Sequence, residues 1–452
     1  MCFGEQRVQH PPDKRPRLGD PGLNMPQWQS GQVAANNQDQ RGMMPPPAWG
    51  GARGMPGAAS NQPGSGVGPS GGGGGASLFP MQRSLAPPPM FLAAGGMDVL
   101  VDMMQNSDPA NQKQAAQVVF EACNDNPTNQ QLVKDAGGVQ RMVQMLQADN
   151  TPEVKTKAAD AIAAACAQNR DNRVEALQAN ALEPLVRMLE AGNVQTQESA
   201  ANALANVIIP RAGGGINGPD GDNFGSGDHG DKKEIVEGQN ALNELGGVTK
   251  LIHLVENGAP RVKEAAAAAI ANAMVDNQAN RQAFQEAGGV GPLINLLRSG
   301  DLQAQEHATT ALWNAMVDNE QTKNDLIQHP QGLQVLVQVL SSGTEVTQES
   351  AAGAIWKACV ADPTIKDRLF VAIPGLVQLL KKGSPGAQTQ AAGALRGACI
   401  NSVANKKQLN RFGGISALVC FRNVFSSRFP SPALVFSLLC LCSWCHFRVS
   451  FR

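Results

Sequence analysis

The sequence predicts an all-α fold: a superhelical solenoid of about seven complete repeats and a truncated eighth, preceded by an unstructured segment. Three observations carry this. A small-residue break followed by an apolar helical phrase recurs, as in AGGVQRMVQML and AGGVGPLINLL, with register marks at Ala94, Ala136, Ala179, Leu245, Ala287, Pro330, Phe370 and Phe412. The spacings are 42, 43, 66, 42, 43, 40 and 42 residues, so the period is near 42 with one long interval. Gly and Pro total 77 of 452 residues, against 19 aromatic residues and no Tyr, so part of the chain lacks the means to build a packed core.

Residues 1–92 hold 17 Gly and 15 Pro, and their apolar residues follow no helical or strand period. Such a segment buries too little surface to offset its ordering entropy and is expected to be disordered. Within it, Lys14, Arg15 and Arg17 form a short basic cluster that reads as a nuclear signal or, more simply, as a solvated charge run. The chain begins without an apolar run behind a basic start, which predicts no secretory leader, a reducing cytoplasmic or nuclear setting, and nine Cys kept as thiols.

Residues 93–420 carry the repeats. Each unit resolves into a short polar helix such as NRQAFQEA, a Gly pair that supplies left-handed backbone, an apolar helix, and a longer third helix such as AQEHATTALWNAMVDN. The long interval contains a Gly- and Asp-rich insertion, residues 210–233. Asp220, Asp222, Gly225, Asp228 and Asp231 match part of a calcium-binding helix-loop-helix pattern, but Phe224 and the preceding RAGGGINGP do not, so a flexible acidic loop is expected. Residues 421–452 contain no acidic residue and no repeat phrase, and read as an aberrant apolar, Cys-rich tail. Its apolar core, Ala433 to Cys445, is 13 residues, short of the ~20 a spanning helix needs. Cys440, Cys442, Cys445 and His446 lack the second ligand arm of a zinc site.

The phrase GG-V-x-x-L-V-x-L-L followed by Q-E-x-A-A-x-A-L-x-N, at Gln197 to Asn206 and with variations at Gln305 to Asn314, resembles the armadillo repeat proteins, which include the importin-α and β-catenin groups. The resemblance spans about seven tenths of the chain and implies a right-handed superhelix whose third helices line a concave groove that binds extended peptides. It also implies two ladder positions, four residues apart, facing the bound chain. The second reads Glu121, Ala164, Asn206, Asn272, Asn314, Lys357 and Gly397; the first reads Gln117, Asp160, Asn202, Ala268, Thr310, Gly353 and Gly393. Asn amides suit main-chain recognition, because they both donate and accept. Importin-α-like proteins place Trp at the first position and this chain does not; Trp313 and Trp356, three residues further on, are either a substitute shelf or packing residues. One turn earlier lie Glu198, Glu264, Glu306 and Glu349, a row of carboxylates suited to a basic strand or, singly, to the helix dipole.

Stacking the units also places Cys123, Cys166, Ile208, Met274, Met316, Cys359 and Cys399 at one position, which marks a packing site and not a metal or redox centre. No nucleophile-base pair or phosphate loop occurs in a coherent setting, so an enzyme is not expected and no cofactor or metal is called for. With 37 basic and 38 acidic residues overall, and a net of −8 between residues 93 and 420, the array offers no electrostatic footprint for nucleic acid. The expected partner is protein, as extended basic segments in the groove. The alternatives are an importin-α-like import adaptor, weakened by the missing Trp ladder, and an adaptor subunit of a ubiquitin ligase.

Overall fold

The computed structural model describes residues 95–106, 108–210, 229–361 and 363–428, all within one compact unit. The N-terminal arm with Lys14, Arg15 and Arg17, the calcium-like residues Asp220 to Asp228, and the Cys-rich end from residue 429 lie outside them.

The described residues are helical throughout. In chain order the helices are α1 (Met97–Gln105), α2 (Pro109–Cys123), α3 (Pro127–Asp135), α4 (Gly138–Gln147), α5 (Pro152–Cys166), α6 (Arg170–Gln178), α7 (Leu182–Met188) and α8 (Val194–Val207). There follow α9 (His229–Glu244), α10 (Gly247–Asn257), α11 (Pro260–Ala273), α12 (Gln278–Glu286), α13 (Val290–Ser299), α14 (Leu302–Ala315), α15 (Glu320–Gln328), α16 (Gly332–Ser342) and α17 (Glu345–Ala361). A 3₁₀ helix η1 (Pro363–Ala372) precedes α18 (Ile373–Lys382), α19 (Pro385–Cys399), α20 (Val403–Arg411) and α21 (Gly414–Arg428).

Seven third helices, α2, α5, α8, α11, α14, α17 and α19, pack one on the next in unbroken order. Their small residues make this possible: Ala158, Ala200, Ala266, Ala308, Ala351 and Ala391 are all fully buried, so backbones approach closely along the layer. The position shared by Cys123, Cys166, Ile208, Met274, Met316, Cys359 and Cys399 is buried in every unit, as the stacking of the sequence required. Burial pushes the Cys123, Cys166 and Cys359 thiols up to about 12, and no disulfide forms among the five described cysteines.

The Gly pairs divide their labour. Gly137, Gly246, Gly288 and Gly413 sit at φ of 65°, 68°, 67° and 70°, the left-handed region; in the third unit Asn180 does the same at 60°. The following glycine answers a steric demand instead: a Cβ on Gly247 would come within 2.3 Å of Leu242 Cδ1, and one on Gly289 within 2.2 Å of Phe284 Cε2.

Three boundaries differ from expectation. The insertion, placed at residues 210–233, gives way to helix already at His229, because α9 has 16 residues where its counterparts α3, α6, α12, α15 and α20 have nine. The extended α9 packs on both α6 and α7, while α8 and α11 remain in contact, so the stack continues across the insertion. In the unit that is two residues short, the first helix is the ten-residue 3₁₀ helix η1, which runs directly into α18 without a Gly pair between them. The last helix, α21, runs to Arg428, past the boundary set at residue 420.

Candidate functional site

The candidate site is the open face of the third-helix layer. Each ladder Asn donates to the neighbouring unit: Asn206 Nδ2 to the Ala163 carbonyl at 2.9 Å, Asn272 Nδ2 to Ala205 at 2.9 Å and Asn314 Nδ2 to Ala271 at 3.0 Å. The acceptor is in each case the residue just before the equivalent ladder position, so the bonds form a repeating relay between third helices. Access falls along it. Asn202 is exposed, Asn206 and Asn272 are half-buried, and Asn314 is buried at 6% exposure, so it does not present an open amide as its neighbours do.

Next to Asn314, and one unit further on, two Trp side chains pack between repeats. Trp313 is buried against the next unit, where a Cβ on Gly353 would meet its Cε2 at 2.7 Å; Trp356 is half-buried, and a Cβ on Gly393 would meet its Cδ2 at 2.5 Å. Each Trp thus lies on the bare backbone of the first ladder position in the following unit. Glycine there is the complement of an indole one unit earlier, and both Trp residues pack between repeats.

The carboxylate row divides into two kinds. Glu306 accepts from the Thr344 hydroxyl at 2.9 Å, and Glu349 Oε2 from the Ser384 hydroxyl at 3.1 Å. Thr344 and Ser384 also accept from the backbone N–H three residues on, Thr347 and Ala387, so these two carboxylates are tied to the start of the next third helix. Glu349 is buried, contrary to the open row expected, with Oε1 unpartnered among the described residues; burial raises its carboxyl to about 7. Glu198 and Glu264 are half-buried. Burial raises the Glu264 carboxyl, and the nearby charges of Asp301 and Glu198 raise it further, against a smaller opposing effect of Arg261.

A cavity of about 460 Å³ opens on the same layer at its N-terminal end, between α2, α5 and the start of α8, with Lys113, Gln117, Thr156, Lys157 and Asn193 in its wall. It was not visible in the spacing of motifs.

A second Asn ladder was also missed. Asn126, Asn169, Asn277 and Asn319 cap the first helices, each accepting from the N–H three residues on. Three residues after these caps, Asn172 Nδ2 donates to Ala165 at 2.8 Å and to Gln130 of the preceding unit at 2.8 Å; Asn280 does the same with Ala273 at 2.7 Å and Gln239 at 3.1 Å. The signal was present as the recurring N-x-x-N of Asn126, Asn169 and Asn277.

Among the described residues no helix is long and apolar enough to cross a membrane, and no group of three or more His, Cys, Asp or Glu is placed to hold a metal ion.

A stack of helical units joined through its third helices is an α-solenoid, and the comparisons give its type. The Armadillo/beta-catenin-like repeat matches residues 169–208 and 277–317, and the SIL1/FES1/HPBP1 C-terminal domain matches residues 89–168. One engineered protein is 25% identical over 77% of this chain and 88% of its own, with a TM-score of 0.51; another is 26% identical over 59% and 97%, with a TM-score of 0.50. A structure from a study of the interaction between cadherin and beta-catenin shares the fold, at 15% identity over 76% of this chain and 60% of its own, with a TM-score of 0.56. No curated protein matches the sequence. The chain carries armadillo-type repeats and folds as an armadillo-type solenoid.

Proposed function

We propose that this protein is a protein-interaction scaffold whose third-helix face holds an extended, basic segment of a partner. The observation that carries the reading is the acidic stretch at Glu198, Glu264 and Asp301, where burial first, and then the charges of Asp301 and Glu198, raise the Glu264 carboxyl and Arg261 offsets the smallest part. A Lys or Arg of a ligand relieves that repulsion, whereas an acidic ligand adds to it. Beside it, Asn206 and Asn272 have each committed one N–H to the neighbouring unit; the second N–H and the carbonyl oxygen are the groups suited to a peptide main chain. Cysteines buried singly at a packing position shared with Ile and Met suit a reducing setting, the cytosol or the nucleus. An armadillo solenoid is a scaffold fold, and we assign no catalytic residue.

The test is fluorescence anisotropy of the full chain with short Lys/Arg peptides and their Asp/Glu counterparts, at low and high salt. Basic peptides are expected to bind selectively, to weaken with salt, and to be lost with Glu264→Lys. Equal binding of both peptide classes, or binding untouched by Glu264→Lys, refutes the reading.

A further inference from the structure

The near balance of charge along the array hides two opposed regions. Residues 93–349 carry 17 basic and 32 acidic side chains, whereas residues 350–428 carry 11 and 2, and no Asp or Glu follows Asp367. The sign changes within α17, between Glu349 and Lys357. On the third-helix layer the second ladder position, Asn in units three to five, becomes Lys357 in unit six. In unit seven it is Gly397, with Arg396 beside it, and α19 holds no acidic residue. Lys357 and Arg396 are half-buried on adjacent, closely packed helices, and neither has a hydrogen-bond or ion-pair partner among the described residues.

The carboxylates of the surrounding helices are out of reach or engaged. Glu349 is eight residues before Lys357, ~12 Å along the helix at ~1.5 Å per residue, and is buried on the Ser384 hydroxyl. Glu345, on the first turn of α17, is a further turn away. Asp367 of η1 accepts from the Ser402 hydroxyl at 3.3 Å, and Asp318, past the end of α14, acts on Arg281. The two cations therefore stand without counter-charge on the face that bears the carboxylate row in units three to five.

We infer that the third-helix face of units six and seven receives an acidic stretch, Asp or Glu, of the same extended ligand whose basic residues lie on Glu198, Glu264 and Asp301. This rests on the groove reading above and deepens it: the ligand is charge-segregated, basic over the middle units and acidic over the last two. From Glu264 in unit four to Lys357 in unit six is two repeats of ~10 Å, so about six extended residues at ~3.3 Å each separate the two blocks. A peptide fits this face and a nucleic acid does not. A polyanion laid over Lys357 and Arg396 carries its next phosphates onto Glu306 and Glu264, whereas peptide side chains can change sign along the strand.

The experiment uses the full chain and three synthetic peptides sharing a Lys/Arg block and a Gly/Ser spacer, ending in a Glu block, a Gln block or a Lys block, each in both chain orders. The Glu-ended peptide is expected to bind about three- to tenfold tighter than the Gln-ended one in at least one order, and the Lys-ended one weakest. Lys357→Gln with Arg396→Gln is expected to bring the Glu-ended affinity down to that of the Gln-ended peptide, and either single variant to lower it part of the way. Lys113→Gln, at the opposite end of the layer, is expected to keep the preference. Equal affinity for Glu and Gln ends in both orders, a preference that survives the double variant, or one that is lost with Lys113→Gln overturns the inference while leaving basic-segment binding intact. A short single-stranded oligonucleotide bound more tightly than the Glu-ended peptide, and released by the double variant, overturns the choice of a peptide. Failure of all three peptides to bind overturns the groove reading, and this inference with it.

Discussion

Replacing Glu349 by Gln is expected to make the array more stable above neutral pH and to remove part of its pH dependence. The side chain is buried between α17 and the start of α19, with Ser384 as its hydrogen-bond partner among the described residues and Gly386 so close that a Cβ there would lie 2.1 Å from Oε1. Its carboxyl titrates near 7 in the folded protein against 4.5 ordinarily. Between those values the folded state holds a proton that the unfolded chain has released, so stability falls as pH rises through this window and is lowest above pH 7. A shift of that size corresponds to roughly 3 kcal/mol at full weight, and solvent screening at the edge of the layer reduces it to about 1–2 kcal/mol. Gln keeps an acceptor for Ser384 and carries no charge. Thermal melts of both proteins at about pH 5 and about pH 8 read the difference: wild type is expected to lose that amount relative to the variant, roughly 1.5 °C per kcal/mol for an array of this size. If the two fall in parallel, the ionised carboxylate is at home on the α19 N-terminus and the reasoning fails.

Gly353→Ala is expected to destabilise by about 1–2 kcal/mol in urea unfolding, although Ala is the better helix former, because the new Cβ meets Trp313 at 2.7 Å; pairing it with Trp313→Leu should recover the loss. Asn280→Ala strips hydrogen bonds from the Ala273 and Gln239 carbonyls in the interior and is expected to cost about 2–3 kcal/mol, whereas Asn272→Ala costs about 1 kcal/mol and shows mainly as lost peptide binding. Cys166, with its thiol pushed up to about 12, is expected to stay unmodified by iodoacetamide in the native protein and to react once unfolded; mass spectrometry of the native sample showing rapid alkylation there refutes its burial.

The repeat itself was legible because its determinants are local. The glycine pair, the apolar phrase and the Ala-rich third helix each need only their own neighbours to take shape, and the Cys/Ile/Met equivalence marks a core position without any knowledge of the fold. What sequence reasoning could not separate were residues of one type with two fates. Glu264 and Glu349 occupy the same row, yet Ser384 and the missing side chain at Gly386 draw Glu349 inward, while Asp301 stands opposite Glu264. Asn272 and Asn314 occupy the same ladder position, but Asn314 is buried in the region where Trp313 packs on Gly353. In each case the deciding residue lies about 40 positions away, in the next unit, and acts through what it lacks or caps. A row-by-row reading of one helix is blind to it.

The uninterrupted contact between α8 and α11 has a consequence for how this chain may be divided. Units one to three and units four to eight meet through the packed faces of α8 and α11. A protease cut or a foreign domain placed between the third and fourth units leaves both mating surfaces intact. Two fragments, ending at residue 210 and starting at residue 229, are thus expected to pair on mixing through α8 and α11, bringing Glu198 and Glu264 together from opposite sides of the break.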